Sequence, residues 1–525
     1  MGAPIEKKDW VMFFPFAEPR EEQIAAINFA LNAYVNEGKK YVCLELGTGI
    51  GKSGVAVTVS RFLNSLEGGG AYVLTTQKIL QQQYLRDFAT TVGMRSLKSA
   101  DNYMCDTGYT CAVTRRVARA CMRAPDCAST CPYVQEKKMF LESPLGVTNY
   151  AYFMNETTYA GKLEPRNLLI LDEAHTAEGV LTKFASVDIS DSINRSVLGK
   201  TRVKIPFGAS QDDAFEWISN DYRKSLANGK LKLQRDIAKG KVRENAERYE
   251  RMDKHLCRVN RFVEKYKPED WIYCEEEGRS GKVMSFKPIR VDGVSQETLF
   301  ERGKYVLMLS ATILSKETYC KWLGLKSEDV AYMNIDCPFP LENRPVHYLP
   351  VGKMNRNEID ATLPKMVEIV RGLLDLHKGE KGIIHATSHK VARYIKEKIK
   401  DPRLLYREDG DRDEMLREHA KRTDASVMLS PSMTEGVDLV DDLSRFQIFV
   451  KIPFPNLGDA VIAKRMQLDS KWYALETTRT MVQGVGRSIR NMEDRATTYI
   501  LDESFSYFYE KNKDMFPESF RKALK

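Results

Sequence analysis

Apolar residues fall along this chain in two patterns. Short runs of four to six, closed by glycine or polar turns, occupy 41–46, 71–76, 167–171 and 305–309, and again 382–386, 427–430, 447–452 and 498–501. Between them apolar residues recur every three or four positions, the period of a helix with one buried face. Runs of that length read as buried strands, and strand–helix alternation predicts a parallel sheet covered by helices on both faces. The proline-punctuated stretch Cys337-Pro338-Phe339-Pro340 separates the two series like a linker, so two α/β lobes are expected at about 1–335 and 340–525. The first is too long for one such lobe and must carry insertions. Two segments break the rhythm, about 98–135 and about 188–290.

Composition narrows the class. With 43% hydrophobic and 29% charged residues among 525, the chain is ordinary globular material and not a disordered one. No apolar run approaches the ~18 residues of a membrane span, and Met1-Gly2-Ala3-Pro4-Ile5-Glu6 has neither secretory nor myristoylation features, so a soluble, cytoplasmic protein without a membrane partner is expected. Net charge is only +8, yet the 221–270 window alone holds 15 Lys/Arg against nine Asp/Glu. That window reads either as a solvated helical face or as a groove for a polyanion. Its aromatics Tyr249, Phe262, Tyr266 and Trp271 suit base stacking or the insert's own core equally. Five of ten cysteines (Cys105, Cys111, Cys121, Cys127 and Cys131) lie within 27 residues, which in an intracellular chain indicates a metal or iron–sulfur site before disulfides. Cys43, Cys257, Cys274, Cys320 and Cys337 are scattered and read as buried thiols.

The chemistry-bearing motifs sit at strand ends. Strand 41–46 runs into Gly47-Thr48-Gly49-Ile50-Gly51-Lys52-Ser53. Glycines there let backbone N–H groups and a helix N-terminus face a polyphosphate, with Lys52 on the β/γ-phosphates and Ser53 on Mg²⁺. A strict phosphate loop has Gly where Leu46 stands. Strand 167–171 delivers Asp172-Glu173-Ala174-His175, in which Asp172 suits Mg²⁺ and Glu173 the polarisation of an attacking water. Ser310-Ala311-Thr312 ends strand 305–309. In the second lobe stand Thr434-Glu435-Gly436-Val437-Asp438 and a run from Gln483 through Arg487 to Arg490. On a helix Gln483, Arg487 and Arg490 would share one face, offering an amide and two guanidinia to a γ-phosphate held by the other lobe.

This ordered set resembles a superfamily-two DEAH helicase, and more narrowly the XPD/DinG family of iron–sulfur helicases, over nearly the whole chain. The resemblance implies two RecA-like parallel-sheet lobes with an inserted iron–sulfur domain and a helical arch insertion: lobe one from 1–97, 136–187 and 291–335, the cluster domain at 98–135, the arch at 188–290 and lobe two at 336–525. It makes Arg20 and Gln23 adenine contacts and places Gly47, Thr48, Gly49, Gly51, Lys52, Ser53, Asp172, His175, Gly436 and Asp438 around ATP and Mg²⁺. Glu173, Gln483, Arg487 and Arg490 become catalytic. Segment 71–83, Thr148-Asn149-Tyr150 and Lys381–His385 leading to Thr387-Ser388 resemble the family's further motifs, suggesting Thr75, Thr76, Asn149 and Ser388 for DNA phosphates. Asn102-Tyr103-Met104-Cys105 and Cys131-Pro132-Tyr133 resemble the first and last ligand segments of the family's 4Fe–4S domain, with Cys121 and Cys127 between and Cys111 the spare, although spacing does not exclude it. Zinc is the competing metal, but the paired knuckles of a zinc ribbon are lacking. Lys98-Ser99-Ala100 stands where the family often has Lys-Gly-Arg. The implied activity is an ATP-dependent DNA helicase, a monomeric motor moving 5′ to 3′ on single-stranded DNA and opening forked duplex. A translocase that remodels without separating strands, or a nucleic-acid scaffold with a silent nucleotide site, are the alternatives.

Overall fold

The computed structural model describes residues 3–106, 108–120, 130–161, 163–199, 203–278, 281–408, 412–431, 441–489 and 491–525. Its first ten strands are β1 (Tyr41–Leu46), β2 (Ala71–Thr75), β3 (Arg95–Ser96), β4 (Leu145–Asn149), β5 (Arg166–Asp172), β6 (Val187–Ser190), β7 (Trp271–Gly278), β8 (Gly281–Pro288), β9 (Gly303–Ser310) and β10 (Val330–Ile335). The remaining six are β11 (Val346–Gly352), β12 (Gly382–His385), β13 (Leu404–Leu405), β14 (Val427–Ser430), β15 (Phe446–Phe449) and β16 (Thr497–Asp502).

Seven strands form one sheet in the order β10-β1-β9-β5-β2-β4-β3, every neighbouring pair parallel. Six more form a second parallel sheet, β11-β16-β15-β12-β14-β13. Two α/β lobes thus replace the sequence's two strand series. Every residue of β2 and β5 is buried, as both faces of a parallel sheet require. Alternate residues feed opposite layers: Tyr72 and Leu74 pack on one face with Leu169 and Leu171, while Ala71 and Val73 pack on the other with Leu168 and Ile170.

Outside the insert, the sequence missed β4, β10 and β11 and the two-residue strands β3 and β13. Gly146 and Asn149 disguise β4, where a Cβ on Gly146 would meet the Phe140 ring at 2.6 Å. β10 lies at a sheet edge and is only half covered, which admits the polar Asn334. Strand β15 ends at Phe449, three residues before the apolar run does.

The insert between β5 and β9 is more than helices. β6, β8 and β7 form an antiparallel three-stranded sheet against the Arg223–Ala238 and Val242–Lys265 helices. Its aromatics are core: Tyr249, Phe262 and Trp271 are buried, Phe262 meets Trp271 edge-on at 4.9 Å, and Tyr266 stacks on Phe215 at 3.9 Å. Base stacking by these rings is therefore discarded. The helix Cys111–Ala120 contributes Val113 and Val117 to the same core, and Lys254 pairs with Asp101 at 3.0 Å, so the cysteine-bearing segment is docked on the arch. Among the described residues no helix is long and apolar enough to cross a membrane.

Candidate functional site

The phosphate loop leaves the end of β1 and turns into the helix Lys52–Glu67. Gly49 and Gly51 have φ of +89° and +88°, the left-handed region where a side chain is strained. A Cβ would also strike the Phe339 ring from Gly49 and the Gln23 amide from Gly51. Arg20 donates from Nη1 to the Gly49 carbonyl at 2.7 Å, and its own N–H donates to Gln23 Oε1 at 2.9 Å. Gln23 Nε2 lies 3.4 Å from the Gly51 carbonyl. The two residues singled out as adenine contacts are thus folded onto the loop. The partly exposed Phe16 ring stands beside Gly54, one turn into the following helix.

Asp172 and Glu173 leave the buried strand β5 at the same sheet edge. Glu173 has φ +50°, an uncommon conformation for a non-glycine residue and of the kind concentrated at functional sites. Burial and the neighbouring Glu173 charge push the Asp172 carboxyl up to about 6, against the pull of Lys52. Two adjacent carboxylates under a glycine-lined cradle suit Mg²⁺ held with a polyphosphate, because the cation removes that repulsion. His175 is driven down to about 4 by burial, so it is neutral near pH 7. Gln483 donates to His175 Nε2 at 2.7 Å, which leaves the proton on Nδ1, 2.9 Å from Ser310 Oγ and 3.4 Å from Glu173. Gln483 Nε2 also donates to Thr312 Oγ1 at 2.9 Å. One amide of the second lobe is therefore hydrogen-bonded to both strand-end motifs of the first.

A cleft of about 1210 Å³ opens between the sheets, lined by Lys52, Ser53, Asp172 and Glu173 from one side and by Gln483 and Arg487 from the other. Gly47, Thr48, Gly49, Gly51 and His175 line it too. The expected single helical face is corrected: the helix Ser470–Val485 carries Gln483 but stops there, and Arg487 sits in the 3₁₀ turn Gly486–Ser488. The turn still brings Arg487 to the cleft. Arg490, Gly436 and Asp438 lie outside the described residues.

The four residues suggested for DNA divide. Thr75 is fully buried and donates to the Gln77 carbonyl at 3.2 Å, so its hydroxyl is removed from that role. Thr76 lines the cleft. Asn149 and Ser388 cap helices, accepting from Tyr152 N at 2.9 Å and Val391 N at 3.3 Å, which leaves the Asn149 amide N–H₂ outside that capping bond.

Among the cysteines, Cys105 and Cys131 are buried in one cluster with Cys111, the one set aside as spare. Burial, a hydrogen bond with Cys131 and the Cys105 thiol push Cys111 up to about 11. Crowded buried thiols of this kind suit a thiolate-binding metal centre, since only a cation makes their ionisation favourable. Among the described residues no group of three His, Cys, Asp or Glu is already spaced to hold an ion. Cys121 and Cys127 lie outside them. Two features carried no sequence signal: Cys337, expected to be an ordinary buried thiol, lines the nucleotide cleft, and Arg465 and Glu178 join the lobes through a buried ion pair of 2.6 Å.

Comparison with known proteins agrees with this geometry. Residues 16–198 match the model of the type III restriction enzyme res subunit, and 376–523 that of a helicase C-terminal domain. An ATP-dependent DNA helicase YoaA of Haemophilus influenzae is 22% identical over 444 residues, 73% of this chain and 68% of that protein. The 3'-5' exonuclease DinG of Bacillus subtilis is 23% identical over 44% of this chain and 27% of its own length. Two solved structures share the fold: an XPD helicase (TM-score 0.66, 15% identity, 95% of this chain and 98% of that one) and an XPD of S. tokodaii (0.61, 14%, 96% and 99%). With two sheets of this topology, a phosphate loop and a DEAH strand end facing a second-lobe glutamine and arginine, the chain shares the XPD fold and is similar along its length to the XPD/DinG-like superfamily-two helicases.

Proposed function

We propose that this protein hydrolyses ATP between its lobes and uses the cycle to travel 5′ to 3′ along single-stranded DNA, separating duplex at a fork. The observation that carries the reading is Gln483, held by the His175 and Thr312 side chains of the other lobe in a cleft shared with Lys52, Asp172 and Arg487. Lys52 and the loop amides bind the phosphates, Ser53 and Asp172 hold Mg²⁺, and Glu173 takes the proton of the attacking water. Arg487, with Arg490, stabilises charge as the γ-phosphate departs. Closure on ATP and opening after hydrolysis shift the lobes along the strand, with Asn149 and Ser388 in reach of the backbone.

Cys105 and Cys131, with two of Cys111, Cys121 and Cys127, would hold the 4Fe–4S cluster. These thiolates would let a bound cluster cross-link a segment that reaches the arch core through Val113 and Val117, a structural role that requires no redox step. The first lobe, the cysteine segment 98–135, the arch 188–290 and the second lobe 336–525 act as a monomer within the cell. The test is unwinding of duplexes carrying a 5′ tail, a 3′ tail or a fork, with ATP. Opening of the 5′-tailed and forked substrates supports the proposal. ATP-driven movement without strand separation would reduce it to a translocase, and no DNA-stimulated hydrolysis would overturn it.

A further inference from the structure

The segment between the lobes is pressed onto the phosphate loop. Gly47 N–H donates to the Ile335 carbonyl at 2.9 Å, and a Cβ on Gly47 would stand 2.5 Å from Cys337 N. A Cβ on Gly49 would stand 2.1 Å from the Phe339 ring, which is buried with Ile489 and Ala496 of the second lobe. Asp336 fixes the segment by accepting from Ser519 N and Oγ, both at 2.6 Å. Two of the loop's glycines are thus needed as much for this contact as for phosphate.

Arg344 ends the same segment and lines the cleft. Of its guanidinium donors, Nη2 reaches the Cys337 carbonyl at 3.2 Å, Nε is buried without an acceptor, and no carboxylate among the described residues pairs with it. Burial raises the Cys337 thiol, and the Arg344 and Lys52 charges pull it down, so both cations stand in reach of Cys337 in the wall of the cleft. A cation with a buried, unmet donor, in the wall of the cleft that the phosphate-loop lysine also lines, is arranged for a ligand more than for the resting fold. We propose that Arg344 is a further nucleotide-binding residue, its guanidinium leaving the Cys337 carbonyl to donate to the phosphate chain. The inference rests on the cleft being the ATP site.

The test is calorimetric titration of the full chain with Mg–ADP and with a non-hydrolysable Mg–ATP analogue, comparing wild type, R344Q, R344K and K52A. R344Q is expected to weaken binding about tenfold or more, the effect of losing a charged hydrogen bond. R344K keeps the charge but not the fork, and should lose about threefold or more. Loss with both nucleotides, or with the ATP analogue alone, supports the inference and tells which phosphate is read. R344Q binding both within about twofold of wild type while K52A fails would overturn it. Should R344Q lack the wild-type circular dichroism, R344K decides, and unchanged affinity in it overturns the inference. Wild type that binds neither nucleotide refutes the reading of the cleft itself.

Discussion

Arg465→Met should loosen the two lobes from each other while leaving each folded. Arg465 is 6% exposed and lies against both the Trp322 and Trp472 rings, 5.5 and 5.3 Å from their centroids. It pairs with Glu178 at 2.6 Å and donates to the Ile289 carbonyl at 2.8 Å and Thr182 Oγ1 at 2.9 Å. Glu178, Ile289, Thr182 and Trp322 belong to the first lobe or the end of its arch insert, and Arg465 and Trp472 to the second. Removing one partner of a buried ion pair strands the other, at a cost of about 3–5 kcal/mol. The Trp472 indole N–H still donates to Glu178 at 3.0 Å and offsets part of that, so about 3 kcal/mol is expected. Denaturant unfolding followed by tryptophan emission is the assay, since Trp322 and Trp472 sit at the seam. The single variant should unfold earlier, with a seam transition separated from the rest. Arg465→Met combined with Glu178→Gln should recover at least about half the loss, because neither buried charge is then stranded. Additive losses, or a single variant that unfolds like wild type, would refute the reasoning.

Glu173→Gln should keep nucleotide affinity and lower DNA-stimulated hydrolysis by about 10²–10⁴-fold, the worth of a positioned base, as measured by phosphate release. Asp172 carries a carboxyl raised to about 6, so stability present below the ordinary carboxylate range is lost as pH rises from that range through 6. Mg²⁺ needs the ionised form, so Mg–nucleotide affinity should weaken about tenfold per pH unit below 6, and Asp172→Asn should flatten that slope. Gln483→Leu should lower turnover more than it changes ADP affinity, because its two bonds join the lobes instead of holding the phosphate loop; equal effects on both would place it in binding. Cys111→Ser should lower iron per chain and bleach visible absorbance, whereas an unchanged spectrum returns Cys111 to the role of spare.

What the sequence disclosed and what it withheld follow from the range of the forces involved. Buried strands such as β1 and β14 are mostly apolar and closed by turn residues, so their bounds were readable to the residue. The phosphate loop and the DEAH turn were readable because their chemistry needs particular residues at fixed spacing beside a strand. Thr75 was misplaced because strand pattern does not tell which hydroxyl turns inward at the last residue. The helix end at Val485 escaped because the helical spacing of Gln483, Arg487 and Arg490 outweighed the stop signal of Gly486 at its C-cap. Cys111 is brought to Cys131 by the helix it begins, a contact set by tertiary folding over twenty residues. Arg465 and Glu178 act across the seam, and pairing between distant segments leaves no local signature.

The seam also explains how hydrolysis can move the lobes. The helix Ser470–Val485 touches the first lobe at three heights. At its start Asp469 caps it, accepting from Trp472 N at 3.3 Å, and also takes Lys321 Nζ at 2.6 Å. Nearly two turns before its end Arg479 Nε donates to the Thr312 carbonyl at 3.1 Å, and Gln483 then reaches His175 and Thr312. From Trp472 to Gln483 the rise is about 16 Å at 1.5 Å per residue. A helix of that length moves as a rod, so displacement at Gln483 must appear at the Trp322–Trp472 contact or break one of the bonds between. His175, whose Nδ1 faces both Ser310 and Glu173, makes the nucleotide end of the rod sensitive to the residue that handles the attacking water. Loss of the γ-phosphate would release Arg487 from it first, leaving Gln483 as the tie between the nucleotide end of the rod and the first lobe. The tryptophan pair at the far end is where opening of the seam should be seen.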